Sequence, residues 1–435
     1  MNKWAHKVLI VLILVLSIAL SACNSEMNGP DASADPQDDL LTTAESANES
    51  AETTPAPTSP TDRHPLGAMQ ILPNHPDTSA FEPVESENWS RWPAVSALPN
   101  RLQIDMETLI GREKNQRALD GTVVILDPGH GGKDPGAIVT AEDGTEVFEK
   151  TLNLEIAQKI KTELEALGAR VIMTRTNDNW ISLYQRVVVG ANASLEQWLT
   201  AGVVNEVELP WINPILDNMQ VIYNLNEDTL ESGGRGMFQG IGANEMVRQL
   251  FDAERETPNI IFISVHCNSS PETITESHGT KLYYCTNLSV FGDEHAFLMN
   301  PGEEIADVEP IDPSYSRYDD EARIALATSI HDQIITRLPS LSNENDPVLL
   351  TGNYAFIRET ALDSVLLECG YMNNPQDLAI LRDPQSQQLL AEGVAEAVYQ
   401  FFCHRNSIII NPDLPNEPTS ANPMDDHQPA DLSPN

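Results

Sequence analysis

Gly121-Thr122-Val123-Val124-Ile125-Leu126 is a β-branched apolar run that breaks at Asp127-Pro128-Gly129, with His130 directly after. Such a run, ended by a proline–glycine pair, predicts a strand and a turn. Downstream, Leu152, Ile156, Ile160 and Leu164 recur every fourth residue, Ala157 and Leu167 widen the stripe, and Gly168 follows. This spacing predicts an amphipathic helix closed by a glycine just past its last turn. Ala169–Thr174, Asn259–Ser264, Gly279–Tyr284 and Asp363–Glu368 read as further strands. Gln385–Phe402 reads as a closing helix with Leu389, Leu390, Val394, Val398 and Phe401 inward. Strands alternating with amphipathic helices predict an α/β fold of three layers, a mostly parallel or mixed sheet with helices on both faces.

Around this region the composition shifts. The chain has 435 residues, with 25 Lys and Arg against 65 Asp and Glu and a formal net charge of −40. That balance repels nucleic acid and excludes electrostatic docking onto anionic lipid. Lys3 and Lys7 precede the apolar run Val8–Leu20, which is too short to span a bilayer and fits the core of a signal peptide. The run ends in Leu20-Ser21-Ala22-Cys23, which resembles the lipobox of bacterial lipoproteins, with Cys23 as the lipidated residue. The alternative is an ordinary secretory signal cleaved after Ala22. Residues 1–22 are thus expected to be a signal peptide, and the acyl chains to anchor the protein to a membrane outside the cytoplasm.

Residues 23–62 are rich in Asp, Glu, Ser, Thr and Pro and hold no Lys or Arg, so they are expected to form a disordered acidic tether. Residues 63–118 read as a linker or accessory segment, 119–405 as a catalytic domain and 406–435 as an acidic, proline-rich tail. Two stretches break the alternation: an insertion over 193–258, with glycines at 233, 234, 236, 240 and 242, and an irregular acidic segment, Thr286–Tyr318. Apart from Cys23, the cysteines are Cys267, Cys285, Cys369 and Cys403, which match no disulfide scaffold and are expected to be buried thiols.

Four polar residues fall at strand or helix ends: His130, Glu149, His266 in Ser264-Val265-His266-Cys267-Asn268, and Glu368 in Val365-Leu366-Leu367-Glu368-Cys369-Gly370. Ligands of open α/β sheets gather beyond the carboxyl ends of strands. Two imidazoles and a carboxylate suit an open catalytic metal site, and a further carboxylate can take a proton from water. Asp127 either orients His130 or caps the turn, and Glu146 rivals Glu149 as a ligand.

These segments resemble the zinc-dependent N-acetylmuramoyl-L-alanine amidases of the amidase-3 family over 121–192, 259–284 and 350–402. The resemblance is carried by Asp127-Pro128-Gly129-His130-Gly131-Gly132, the Glu149-Lys150 pair, Thr174-Arg175 through Asp178, Ser264-Val265-His266-Cys267-Asn268, and Val365–Pro375. It implies a bound Zn²⁺ held by His130, Glu149 and His266, with Glu368 as the catalytic carboxylate. It also implies peptidoglycan as substrate, cut between N-acetylmuramic acid and L-alanine. Related amidases carry inserted segments that occlude the site. Segment 193–258 is accordingly expected either to gate the cleft in response to an activator protein, with Trp198, Leu199, Trp211 and Ile212 packed across it, or to be a subdomain on the far face.

Overall fold

The apolar run before His130 forms the first strand, β1 (Val123–Pro128), buried at every position. Val124 and Leu126 join one apolar layer while Val123 and Ile125 join another, as the period of two along a strand requires. The computed structural model describes residues 78–82, 98, 101–201, 209–227, 244–299, 317–343 and 348–409. After β1 come a short hairpin, β2 (Ile138–Thr140) and β3 (Glu146–Phe148), and then β4 (Arg170–Met173), β5 (Ile260–Asn268), β6 (Lys281–Tyr284), β7 (Leu349–Thr351) and β8 (Asp363–Tyr371). The main sheet has the order β4-β1-β5-β8-β6-β7. Its first four strands are mutually parallel, whereas β6 runs antiparallel to β8 and parallel to β7. The sheet is therefore mixed.

The α-helices of the described residues are α1 (Glu149–Ala166), α2 (Leu183–Thr200), α3 (Ile212–Leu225), α4 (Glu245–Arg255), α5 (Asn287–Met299), α6 (Asp320–Arg337), α7 (Ala355–Arg358), α8 (Pro375–Arg382) and α9 (Pro384–Cys403). Apolar residues of α1, α6 and α9 cover one face of the sheet, and those of α2, α3, α4 and α7 cover the other. This is the three-layer α/β architecture expected. In α1 the four-residue repeat of Leu152, Ile156, Ile160 and Leu164 is buried, and each such side chain contributes roughly 1.5–3 kcal/mol of hydrophobic stabilisation. In α9, Leu390, Val394, Val398 and Phe401 are buried but Leu389 is 37% exposed, one position off the packed stripe.

Two strands run further than their apolar runs. β5 continues through His266 to Asn268 and β8 through Glu368 to Tyr371, so His266 stands within its strand rather than after it, and Glu368 within its strand rather than at its end. Segment 193–258 is largely woven into the second core. Its first eight residues complete α2, and α3 and α4 pack beside them. Trp198, Leu199, Trp211 and Ile212 do not close a cleft. Trp198 donates its indole N–H to the Ala253 carbonyl and meets Trp211 edge-on at 5.3 Å, and the Ser194 and Thr257 hydroxyls bond nearby. Thr257 leads into the start of β5, so this cluster lies at the end of the strands opposite His266.

The expected irregular segment after Tyr284 contains α5. Within 101–118, Met106, Leu109 and Ala118 join the first core, and the Gly111 N–H bonds the Cys403 carbonyl at 2.8 Å. The four cysteines from Cys267 onward are buried free thiols. No helix among the described residues is long and apolar enough to cross a membrane. Residues 1–22, Cys23, the tether, the glycines of 233–242 and the tail beyond 409 lie outside the described residues.

Gly168 ends α1 with φ +95°, and a Cβ there would run into the Asp120 carboxylate and the Gln116 carbonyl. Gly168→Ala should lower the unfolding free energy by about 1–2 kcal/mol, the usual cost of left-handed backbone in an L-residue, read as a lower denaturant midpoint at unchanged slope.

Candidate metal centre

The site is built on a turn that the backbone would not adopt unaided. His130 has φ +60°, a left-handed conformation uncommon for a residue with a side chain. Two buried guanidinium groups hold it there. Arg175 donates from Nε to the Pro128 carbonyl and from Nη2 to the Gly129 carbonyl, both at 2.8 Å. Arg186 donates from Nη1 to Pro128 at 2.9 Å and from Nη2 to the His130 carbonyl at 2.8 Å. Asp127 balances the charge, with Arg186 Nη1 at 2.5 Å and the Thr174 and Ser264 hydroxyls donating to its two oxygens. Burial opposes the charged form of Asp127, but the Arg186 charge and these hydrogen bonds outweigh it and hold the carboxyl below its ordinary range.

Asp127 therefore serves the turn, and the residue that orients His130 is Asp134, whose Oδ2 accepts from His130 Nδ1 at 2.8 Å. Gly129 has to be glycine for a separate reason: a Cβ there would collide with the His266 ring.

His130 leaves the turn after β1, Glu149 opens α1, and His266 extends from β5. One ligand atom from each lies within 4.8 Å of the others. His130 Nε2 and His266 Nδ1 stand 3.1 and 3.0 Å from the same oxygen, Glu149 Oε1. Ligand bonds of about 2.0–2.2 Å put neighbours in a tetrahedral set roughly 3.3 Å apart, so this buried donor set fits a divalent cation. Glu149 is itself fixed by the Ala137 N–H at 2.9 Å and the Asn153 amide at 3.1 Å. Glu146, the rival ligand, lies exposed on β3, outside the cluster.

The charges reinforce one another. Burial works against a protonated His130, yet the carboxylates of Glu149 and Asp134 push its pKa up to about 10. Burial likewise opposes ionised Glu149, but the two histidines hold its carboxyl well below the ordinary value. Burial lowers the pKa of His266. A proton on His130 thus occupies the centre when no cation does.

Glu368 is brought beside this set by strand register. It pairs directly with His266 across the parallel β5–β8 ladder, so both side chains leave the same face. Burial, and next the negative charge of Glu149, raise the Glu368 pKa well above its ordinary value, and its Oε2 has no hydrogen-bond partner. Cys267 and Cys369 point into the opposite core, as strand alternation predicts. Asn268 contributes its carbonyl to the Met372 N–H. The His266 ring stacks on Phe356 with centroids 5.9 Å apart, which closes the centre from below. Asp134 and Asn153 were not anticipated from sequence; the only local signal for Asp134 was its position four residues after a histidine.

The Amidase_3 family profile, described as N-acetylmuramoyl-L-alanine amidase, matches residues 124–199 and 216–400. Among curated proteins, the chain is 40% identical over 80 residues to the N-acetylmuramoyl-L-alanine amidase LytC of Bacillus subtilis, covering 18% of this chain and 15% of that protein. It is 26% identical over 172 residues to the probable cell wall amidase LytH of Staphylococcus aureus, covering 39% and 57%. The chain thus spans less than two thirds of the length of either relative. An N-acetylmuramoyl-L-alanine amidase structure from Clostridium difficile 630 overlays with a TM-score of 0.39 at 19% identity, covering 65% of this chain and 97% of that one.

Asp134→Asn should weaken divalent-cation binding by roughly 10–100-fold, the usual worth of a carboxylate behind a ligating histidine. Because the proton on His130 must leave before a cation enters, affinity of the native protein should rise with pH until about pH 10, where that proton is lost. Isothermal titration at several pH values measures both.

Proposed function

This chain belongs to the Amidase_3 family of N-acetylmuramoyl-L-alanine amidases, and from that premise we propose that it is a zinc-dependent peptidoglycan hydrolase. The bond it cuts joins the lactyl group of N-acetylmuramic acid to the L-alanine of the stem peptide. The observation that carries this reading is the convergence of His130, Glu149 and His266 beside a half-buried carboxylate, Glu368, whose buried Oε2 has no partner.

In this reading His130, Glu149 and His266 hold the ion. Bound there, zinc supplies Lewis-acid polarisation of the scissile carbonyl and a water of lowered pKa. Glu368 acts at Oε2, taking the proton of the attacking water and passing it to the departing alanine nitrogen. The Arg175 and Arg186 clamp fixes His130, and Asp134 keeps its Nδ1 occupied so that Nε2 faces the ion. Phe356, stacked beneath His266, keeps bulk water from that side.

We also place the enzyme outside the cytoplasm, with residues 1–22 as a signal peptide and Cys23 lipidated. The support is the basic–apolar–Leu20-Ser21-Ala22-Cys23 order and the kinship to a protein named as a probable cell wall amidase. Residues 119–405 act as the catalytic unit.

His130→Ala and His266→Ala should each lose bound zinc, because two protein ligands hold the ion poorly; full zinc content in both, by elemental analysis, would remove them from the ligand set. Glu368→Gln should keep zinc and lose roughly 10²–10⁴-fold in turnover. Turnover close to that of the native enzyme would take Glu368 out of the mechanism. Cys23→Ser should release the protein from the membrane fraction, since the described residues hold no spanning helix.

A further inference from the structure

Beside the centre stands a cation that the chemistry above does not use. β6 runs antiparallel to β8, and Lys281 pairs directly with Glu368 across that ladder. Residues directly opposite in an antiparallel pair share a face, so Lys281 leaves the sheet on the same side as Glu368 and His266. Its ammonium does not neutralise Glu368. It is drawn instead over the ring of Tyr371, 5.6 Å from the centroid, and Lys281 forms no ion pair with any acid among the described residues. The next position on that face of β6, Tyr283, packs edge-on against Tyr354 at 5.3 Å.

A lysine on a strand often protects a sheet edge, but the edge here is β7, and β6 is paired on both sides. A half-buried lysine lacking an acid partner is also unexpected where acids outnumber bases 65 to 25. Arg175 and Arg186 are committed to the turn beneath the centre, whereas Lys281 stands on the face that carries Glu368. Lys281 is therefore a cation close to Glu368 that can meet a carboxylate on a bound substrate.

We infer that Lys281 is a specificity-determining residue that binds a carboxylate on the peptide side of the substrate. The inference rests on the amidase reading above. Neighbouring strands lie about 4.8 Å apart and an extended residue spans about 3.3 Å, so a peptide leaving Glu368 across β6 brings its second residue over Lys281. In a stem peptide that residue is a γ-linked D-glutamate, whose α-carboxylate is either free or amidated.

The test uses the zinc-loaded full chain and two synthetic substrates, N-acetylmuramoyl-L-Ala-γ-D-Glu-L-Lys with the glutamate α-carboxylate free or as its amide. The native enzyme should show a KM roughly tenfold lower for the free acid, the worth of one charge-assisted hydrogen bond. Lys281→Met, which keeps an unbranched side chain without the charge, should lose that preference by raising KM for the acid alone, with kcat unchanged. Lys281→Arg should retain most of it. Equal losses on both substrates would mean that Lys281 is structural. A native enzyme indifferent to amidation, or an unchanged preference in Lys281→Met, would also overturn the inference while leaving the amidase reading intact. Failure of the native enzyme to cleave either substrate at the muramoyl–alanine bond would overturn both.

Discussion

The centre depends on the clamp that Arg175 and Arg186 place on the carbonyls of Pro128, Gly129 and His130. A histidine at φ +60° carries backbone strain, and two guanidinium groups buried beneath a turn carry a desolvation cost. Each burden is met by the other. The turned-in carbonyls give the guanidiniums acceptors, and those hydrogen bonds make the strained turn the lowest arrangement available. Asp127 supplies the negative charge without which two adjacent cations could not be buried. Arg175 feels that crowding, as burial and the neighbouring Arg186 charge lower its pKa to about 10.

From this turn the other parts take their places. With Nε2 of His130 fixed, Glu149 can be met at the first turn of α1 and His266 at the end of β5. The sheet then supplies the fourth group: β5 and β8 are in register at His266 and Glu368, so two rigid backbones set their separation rather than a loop. The low polarity that raises the Glu368 pKa suits a group that must take and release a proton. On the other face the tryptophans of α2 and its following segment lie buried in the second core, at the end of the strands away from His266.

Much of this was legible in the residues themselves. The β1 run, the four-residue repeat of α1 and the glycine that ends it each obey a local rule, and local rules survive tertiary context. The grouping of His130, Glu149 and His266 was legible through resemblance, with strand and helix ends as its physical support. What depended on register was hidden. That Lys281 stands opposite Glu368 follows from the antiparallel turn of β6, which no spacing announces. Asp134 took the orienting role considered for Asp127 because the turn doubles back and presents the later carboxylate to Nδ1. Helix α6 escaped notice because residues 322–331 are buried all round, including Arg323, and a helix without a polar face shows no stripe. Leu389 erred for the reverse reason, as an apolar residue at the margin of a stripe need not be covered.

The most direct measurement is mass spectrometry of the fragments released from isolated peptidoglycan by the purified protein, with and without a chelator. The account predicts intact stem peptides with free L-alanine amino termini and glycan strands whose lactyl groups are bare, with release lost on chelation and restored by zinc. Cleavage within the peptide or between sugars, or release indifferent to chelation, would contradict it.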